Sequence, residues 1–80
     1  MGTRTVQWAL NELKQLNVVV IASIIESDGS VPAKVGAKMA ISSTGRIHGT
    51  VGGAGLDLKI EEKLHRLLNG ESGGLEKYVL

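Results

Sequence analysis

The residues best suited to chemistry lie in two short segments punctuated by glycine. The first, Gly29-Ser30-Val31-Pro32-Ala33-Lys34-Val35-Gly36-Ala37-Lys38-Met39, offers a hydroxyl, a rigid proline and two lysines. The second, Gly49-Thr50-Val51-Gly52-Gly53-Ala54-Gly55-Leu56-Asp57, stands between an expected strand and an expected helix. Backbone N–H groups and a helix dipole can hold an anion at that position. Glycine loses conformational entropy on folding and adds no packing, so it gathers where backbone bends or approaches something closely. Two explanations of the second segment stand side by side: it cradles a pyrophosphate or similar anion, or it is a tight strand-to-helix turn. It is not the Gly-x-Gly-x-x-Gly dinucleotide fingerprint, because the order is Gly49-x-x-Gly52-Gly53-x-Gly55 and the preceding strand belongs to a hairpin. Nor is it the phosphate loop of nucleotide hydrolases, since no Gly-Lys-Ser/Thr follows.

Single residues carry weaker signals. Asp57 falls in the first turn of the helix, where its charge complements the dipole. The same carboxylate can accept a hydrogen bond from a heterocyclic N–H. Lys34 and Lys38 can bring charge to a bound phosphate, although a single such residue is more often just a solvated lysine. His48 and His65 are isolated. Glu61, Glu62 and His65 share a helix, but one carboxylate–histidine pair without a complement elsewhere reads as a solvated face, and no metal site is expected. Ser30 would need a nearby base to act as a nucleophile. No serine–histidine–acid set stands out, and no catalytic residue is expected.

Composition narrows the function classes. The chain has 80 residues and a net charge of +1, with both signs interspersed, which argues against a nucleic-acid-binding domain working through a basic patch. Only Trp8 and Tyr78 are aromatic, so no stacking platform for single strands exists. Cysteine is absent, which excludes a disulfide, a thiolate nucleophile and a persulfide carrier in this chain. The longest apolar run, Val18 to Ile25, is too short to span a bilayer, and the N-terminus shows no basic-then-apolar secretory pattern. The expectation is a soluble cytoplasmic domain, without a membrane partner, whose modest core gains from oligomerisation.

The elements that must position these segments follow from periodicity. Thr5 reads as the N-cap of a first helix, with Val6, Ala9, Leu10, Leu13 and Leu16 on one apolar face and Trp8 nearly opposite. Val18 to Ile25 reads as a central strand buried on both faces. Lys38 to Ser42 and Arg46 to Val51 form a hairpin around Ser43-Thr44-Gly45. In that register Ser42 faces Arg46, Ala40 faces His48 and Lys38 faces Thr50. Met39, Ile41, Ile47 and Val51 then share the core face, and Lys38, Ser42, Arg46, His48 and Thr50 the polar one. A second helix runs from about Gly55 to Asn69, with Gly70 as C′ residue and Leu56, Ile60, Leu64, Leu67 and Leu68 as its stripe. Leu75 to Leu80 reads as a last strand. The fold class is α/β of the α+β kind: one small domain over residues 1–80, order α-β-β-β-α-β, with one mixed sheet and helices packed on it. Trp8 and Leu58, each a large apolar residue away from its helix's stripe, mark an expected interface with a second copy or a partner.

The two glycine segments resemble the N-terminal domain of the XdhC/CoxI family, accessory factors of xanthine dehydrogenase and carbon monoxide dehydrogenase. Gly29, Ser30, Pro32, Gly36, Ala37 and Met39 match the family's Gly-Ser-x-Pro-Arg-x-x-Gly-Ala-x-Met segment. Gly49, Thr50, Val51, Gly52 and Gly53 match its Gly-Thr-Val-Gly-Gly-Gly-x-x-Glu segment. Ala33 stands where arginine is usual, Ala54 where a third glycine is usual, Gly55 where cysteine is frequent, and Asp57 where glutamate is usual. Typical members continue into a Rossmann-like C-terminal domain, which these residues do not include. The resemblance implies a non-catalytic factor that binds molybdenum cofactor (molybdopterin) transiently and assists its delivery to a molybdenum hydroxylase apoenzyme. A cysteine desulfurase or a separate Rossmann-type subunit would be a further partner. The implied cofactor-binding residues are Ser30, Pro32, Lys34, Gly36, Lys38, Thr50, Gly52, Gly53, Gly55 and Asp57. The alternatives are a structural subunit that pairs with a separate Rossmann-type protein, and a small nucleotide-binding domain.

Overall fold

The computed structural model describes residues 3–27 and 34–75. Five elements follow one another: α1 (Thr3–Lys14), β1 (Val19–Ser23), β2 (Lys38–Ser42), β3 (Ile47–Gly49) and α2 (Ala54–Leu68). The first five elements of the expected order α-β-β-β-α-β hold, in a small α+β domain. The three strands form one antiparallel sheet in the order β1-β2-β3. The hairpin register is the expected one, with Ala40 opposite His48 and the Ser42 amide bonded to the Arg46 carbonyl. Among the described residues no helix is long and apolar enough to cross a membrane. Of the expected last strand only Leu75 is described, and it is exposed and not in a strand; residues 76–80 lie outside the described residues.

The two faces of the sheet differ because side chains alternate along each strand. On one face Met39, Ile41 and Val51 meet Leu56, Ile60 and Leu64 of α2, all buried, with Val20, Ala22, Ile24, Leu67 and Leu68 packed around them. This is the main core, and α2 presents the stripe expected of it. On the opposite face Ala40, Ser42 and His48 lie under α1, and the helices do not touch each other.

Three expectations change. Helix α1 begins two residues before Thr5, so Thr5 sits inside the helix and is buried rather than capping it. Second, α1 is turned by about a quarter turn from its expected orientation: Thr5, Ala9 and Glu12 point into the sheet, and Val6, Leu10 and Leu13 remain exposed. The face it covers carries hydroxyls and an imidazole, so the side of the helix bearing Thr5, Trp8 and Glu12 matches it better than the aliphatic side. Trp8 is consequently half-buried, while Leu58 is 61% exposed on α2, across the sheet from it. These two residues do not form one surface.

Third, among the described residues β1 lies at an edge of the sheet rather than at its centre. β2 takes the centre, with Ala40, Ile41 and Ser42 wholly buried between β1 and β3. Ile21 stays 42% exposed. Ile47, assigned to the core face, is 38% exposed, and among the described residues β3 forms the other edge.

Both helices end in the same hydrogen-bond arrangement. The Leu16 and Asn17 amides bond to the Leu13 and Glu12 carbonyls, and the Gly70 and Glu71 amides to the Leu67 and Arg66 carbonyls. This motif needs a residue with positive φ. After α2 it is Gly70, as expected (φ 104°), but after α1 it is Leu16 (φ 64°).

Candidate functional site

The hairpin brings the end of one glycine segment against the start of the other. Lys38 opens β2, Gly49 closes β3, and Met39 pairs with Gly49. The first turn of α1 closes a third side. Thr3, Arg4, Thr5, Ala37, Lys38, His48, Gly49 and Thr50 together line an open cleft of about 410 Å³.

Gly49 makes this arrangement possible. Its φ is +91°, and a Cβ there would collide with the Lys38 carbonyl and approach the Thr5 hydroxyl oxygen to 2.8 Å. Only glycine lets α1 lie this close to the end of the hairpin. Across the same contact Thr5 Oγ1 lies 3.3 Å from His48 Nδ1. The indole of Trp8 stacks on the His48 ring, with centroids 5.4 Å apart and 16° between planes. Helix α1 therefore holds His48 by one ring face and by its Nδ1 edge.

The charge of the cleft is positive. Lys38 Nζ donates to the Gly36 carbonyl at 3.3 Å. Among the described residues neither Arg4 nor Lys38 has a carboxylate partner. The first turn of α1 contains no acidic residue, so the positive end of its dipole adds to the two cations. Two cations and a helix start around an open cleft suit an anion the size of a phosphate.

The glycine loop itself is organised differently. The Asp57 carboxylate accepts from the Thr50 hydroxyl at 2.6 Å, the Val51 amide at 2.9 Å and the Gly53 amide at 3.2 Å. The Gly52 amide donates to Thr50 Oγ1 at 3.3 Å. The chain's own carboxylate thus occupies the position where an external anion would meet these amides. Partial burial pushes the Asp57 carboxyl up, but the Thr50 hydroxyl and the two amides outweigh it and hold it below the usual carboxylate range. Thr50 links the two regions: it lines the cleft while its hydroxyl holds the loop.

Of the residues singled out from sequence, Lys38 and Thr50 meet in the cleft, and Gly36 supports Lys38. Lys34 is exposed and does not line it. Gly52, Gly53 and Gly55 lie outside the lining, and the first two have their amides committed within the loop. Ser30 and Pro32 lie outside the described residues. Thr3, Arg4, Thr5 and His48 were not anticipated as site residues. His48 was legible in principle, since the hairpin register already put it on the same face as Lys38. Arg4 was not, because nothing local says where the first turn of α1 will dock. Among the described residues no group of three or more His, Asp or Glu side chains could hold a metal ion, and Glu61, Glu62 and His65 form none.

Comparison with known proteins adds one finding. A protein-family model described as the XdhC and CoxI family matches residues 13–79, from the last turn of α1 through the sheet, the glycine loop and α2. No curated protein and no solved structure matches the chain.

Proposed function

Because this chain belongs to the XdhC and CoxI family, we propose that it is an accessory factor that binds molybdenum cofactor and assists its delivery to a molybdenum hydroxylase apoenzyme. The single observation supporting a ligand role is the positive cleft, with Arg4 and Lys38 turned to a common opening and, among the described residues, without carboxylate partners. The pterin substrate carries a phosphate tail, and Arg4 and Lys38 are the groups suited to hold it. Arginine offers a planar fork and lysine a point charge, so the two together fix both orientation and charge. His48, fixed by Trp8 and Thr5, lines the cleft beside them. The proposed role is binding and transfer without catalysis, and sulfuration of the cofactor would require a cysteine-bearing partner such as a cysteine desulfurase.

Equilibrium dialysis with molybdopterin released from a molybdenum enzyme tests this reading. Arg4→Ser with Lys38→Ser should weaken binding tenfold or more while circular dichroism stays unchanged, and unaltered affinity in that variant would refute the cleft as the site. The self-filled glycine loop favours a second reading, a structural subunit that pairs with a separate Rossmann-type protein. Wild-type chain that binds no pterin but forms a stable complex with such a protein would select it.

A further inference from the structure

Helix α1 supplies Thr3, Arg4 and Thr5 to the cleft, and the sheet with its adjoining turns supplies the rest of the lining. What α1 buries against that sheet is small. Its buried side chains are Thr5, Ala9 and Glu12, one methyl group between two polar residues, against Leu56, Ile60 and Leu64 for α2. Little apolar area therefore opposes the departure of α1. Glu12 works against docking. Its side chain is 3% exposed, Oε1 has no partner among the described residues, and Oε2 stands 4.0 Å from Arg46. Undocking returns that carboxylate to water. Among the described residues α1 packs on the sheet and not on α2.

The polar contacts that hold α1 converge on one residue. Trp8 stacks on His48, and Thr5 Oγ1 lies 3.3 Å from its Nδ1, while His48 itself lines the cleft. A pivot is equally defined at the other end of the helix. Val18 is fixed to the hairpin turn: its amide donates to Ser43 Oγ at 3.0 Å and its carbonyl accepts from the Ser43 amide at 2.8 Å. The amides of Gln15, Leu16 and Asn17 instead bond back to the Glu12 and Leu13 carbonyls. These residues separate the anchored strand start from the helix, and Leu16 among them holds a φ of 64° that is costly for a residue with a side chain.

We propose that α1 is a lid on the cleft, pivoting at residues 15–17, with His48 as its latch, Glu12 as the charge that keeps the closed state marginal, and an anion between Arg4 and Lys38 as the clasp that fastens it. The clasp rests on the reading of the cleft as an anion site; the pivot does not. Arg4 rides on α1 and Lys38 on β2, so both cations face one anion only while the lid is closed. A ligand that needs both cations stabilises docked α1 by as much as it prefers the closed state. A twelve-residue helix is marginal alone in water, so α1 released from the sheet melts and exposes its amides to exchange.

Native-state hydrogen exchange by NMR on the full chain tests the lid without any ligand. Amides of α1 should be at least tenfold less protected than those of α2, with little dependence on added urea, the mark of a partial opening. Ile60→Val should speed exchange in α2 severalfold and leave α1 unchanged, because α2 stays packed when α1 opens. Glu12→Met should slow α1 exchange tenfold or more. Replacing chloride by inorganic phosphate at constant pH and ionic strength should also slow α1 exchange, and Lys38→Ser should abolish that slowing. Equal protection in α1 and α2, or α1 exchange indifferent to Glu12→Met, would overturn the lid, and saturable phosphate shifts at Arg4 and Lys38 would then still leave the cleft standing as an anion site. A lid that opens yet ignores phosphate would overturn the clasp, and with it the cleft as the site.

Discussion

The two faces of the sheet solve the same burial problem with opposite materials. Under α2 the packing is hydrocarbon: Met39, Ile41, Val51, Leu56, Ile60 and Leu64 are buried together. Under α1 the buried side chains include Thr5, Glu12 and Ser42, while aliphatic Val6, Leu10 and Leu13 are left in water. Polar groups in a dry environment need partners, and this face meets that need unevenly. Ser42 Oγ finds Thr44 Oγ1 at 2.5 Å and Thr5 finds His48. Glu12 Oε1 has no partner among the described residues, and its Oε2 is 4.0 Å from the largely exposed guanidinium of Arg46. One face supplies stability; the other gives some of it up and holds the cleft.

Five substitutions probe that contrast. Leu64→Ala, wholly buried under α2, should cost about 2–5 kcal/mol, enough to unfold much of a domain this size. Urea denaturation gives the value, and a loss below about 1 kcal/mol would mean that the α2 face is not where stability resides. Glu12→Met on the opposite face should raise stability by about 1–3 kcal/mol, because it removes a buried oxygen without a partner and keeps the side-chain length. A fall in the urea midpoint instead would make the buried carboxylate part of the structural design.

The third concerns the loop that joins the two faces. Asp57 is held below its ordinary pKa, so the stability it contributes is present above about pH 4, the unfolded value, and is lost as pH falls through the lower folded value. Asp57→Asn should lower stability at pH 7 by about 1 kcal/mol, since the carboxylate is largely screened by solvent. The difference between variant and wild type should narrow in urea titrations toward pH 3, and a constant difference would contradict the role of the Asp57 carboxylate in holding the loop. The smallest effect is expected at Leu16→Gly, which relieves a positive φ where the side chain is 93% exposed. It should raise the thermal midpoint slightly, by the equivalent of about 0.5–1 kcal/mol, whereas Gly70→Ala at the matching end of α2 should lower it.

Legibility in the sequence follows the same division. The α2 stripe, the hairpin register and Gly70 were readable because hydrophobic period, turn chemistry and burial agree there. The orientation of α1 was not, because its most apolar side is not its buried side. Periodicity reports where hydrocarbon is, and here the docking side is chosen by hydroxyls and an imidazole. The same conflict concealed the site. Lys38 and Thr50 were visible from their segments, whereas Arg4 and Thr5 join them only through the docking of α1. The edge position of β1 was hidden for a related reason: a fully apolar run reads as a central strand, and nothing local says that its outer side lacks a neighbour among the described residues. The glycine loop was correctly placed before a helix, but the rule that helix starts attract anions does not say whether the anion is external. Here Asp57, four residues on from Gly53, already fills the place.

The central claim is that ligand recognition belongs to the α1 face and its cleft, while the α2 face serves the fold. Amide chemical-shift mapping by heteronuclear NMR, with molybdopterin titrated into the wild-type chain, tests it most directly. The expected result is saturable shifts concentrated at Arg4, Thr5, Lys38, His48 and Thr50, with Leu58, Glu62 and Arg66 on the outer side of α2 unmoved. Shifts concentrated on α2, or a spectrum unchanged at millimolar ligand, would contradict it.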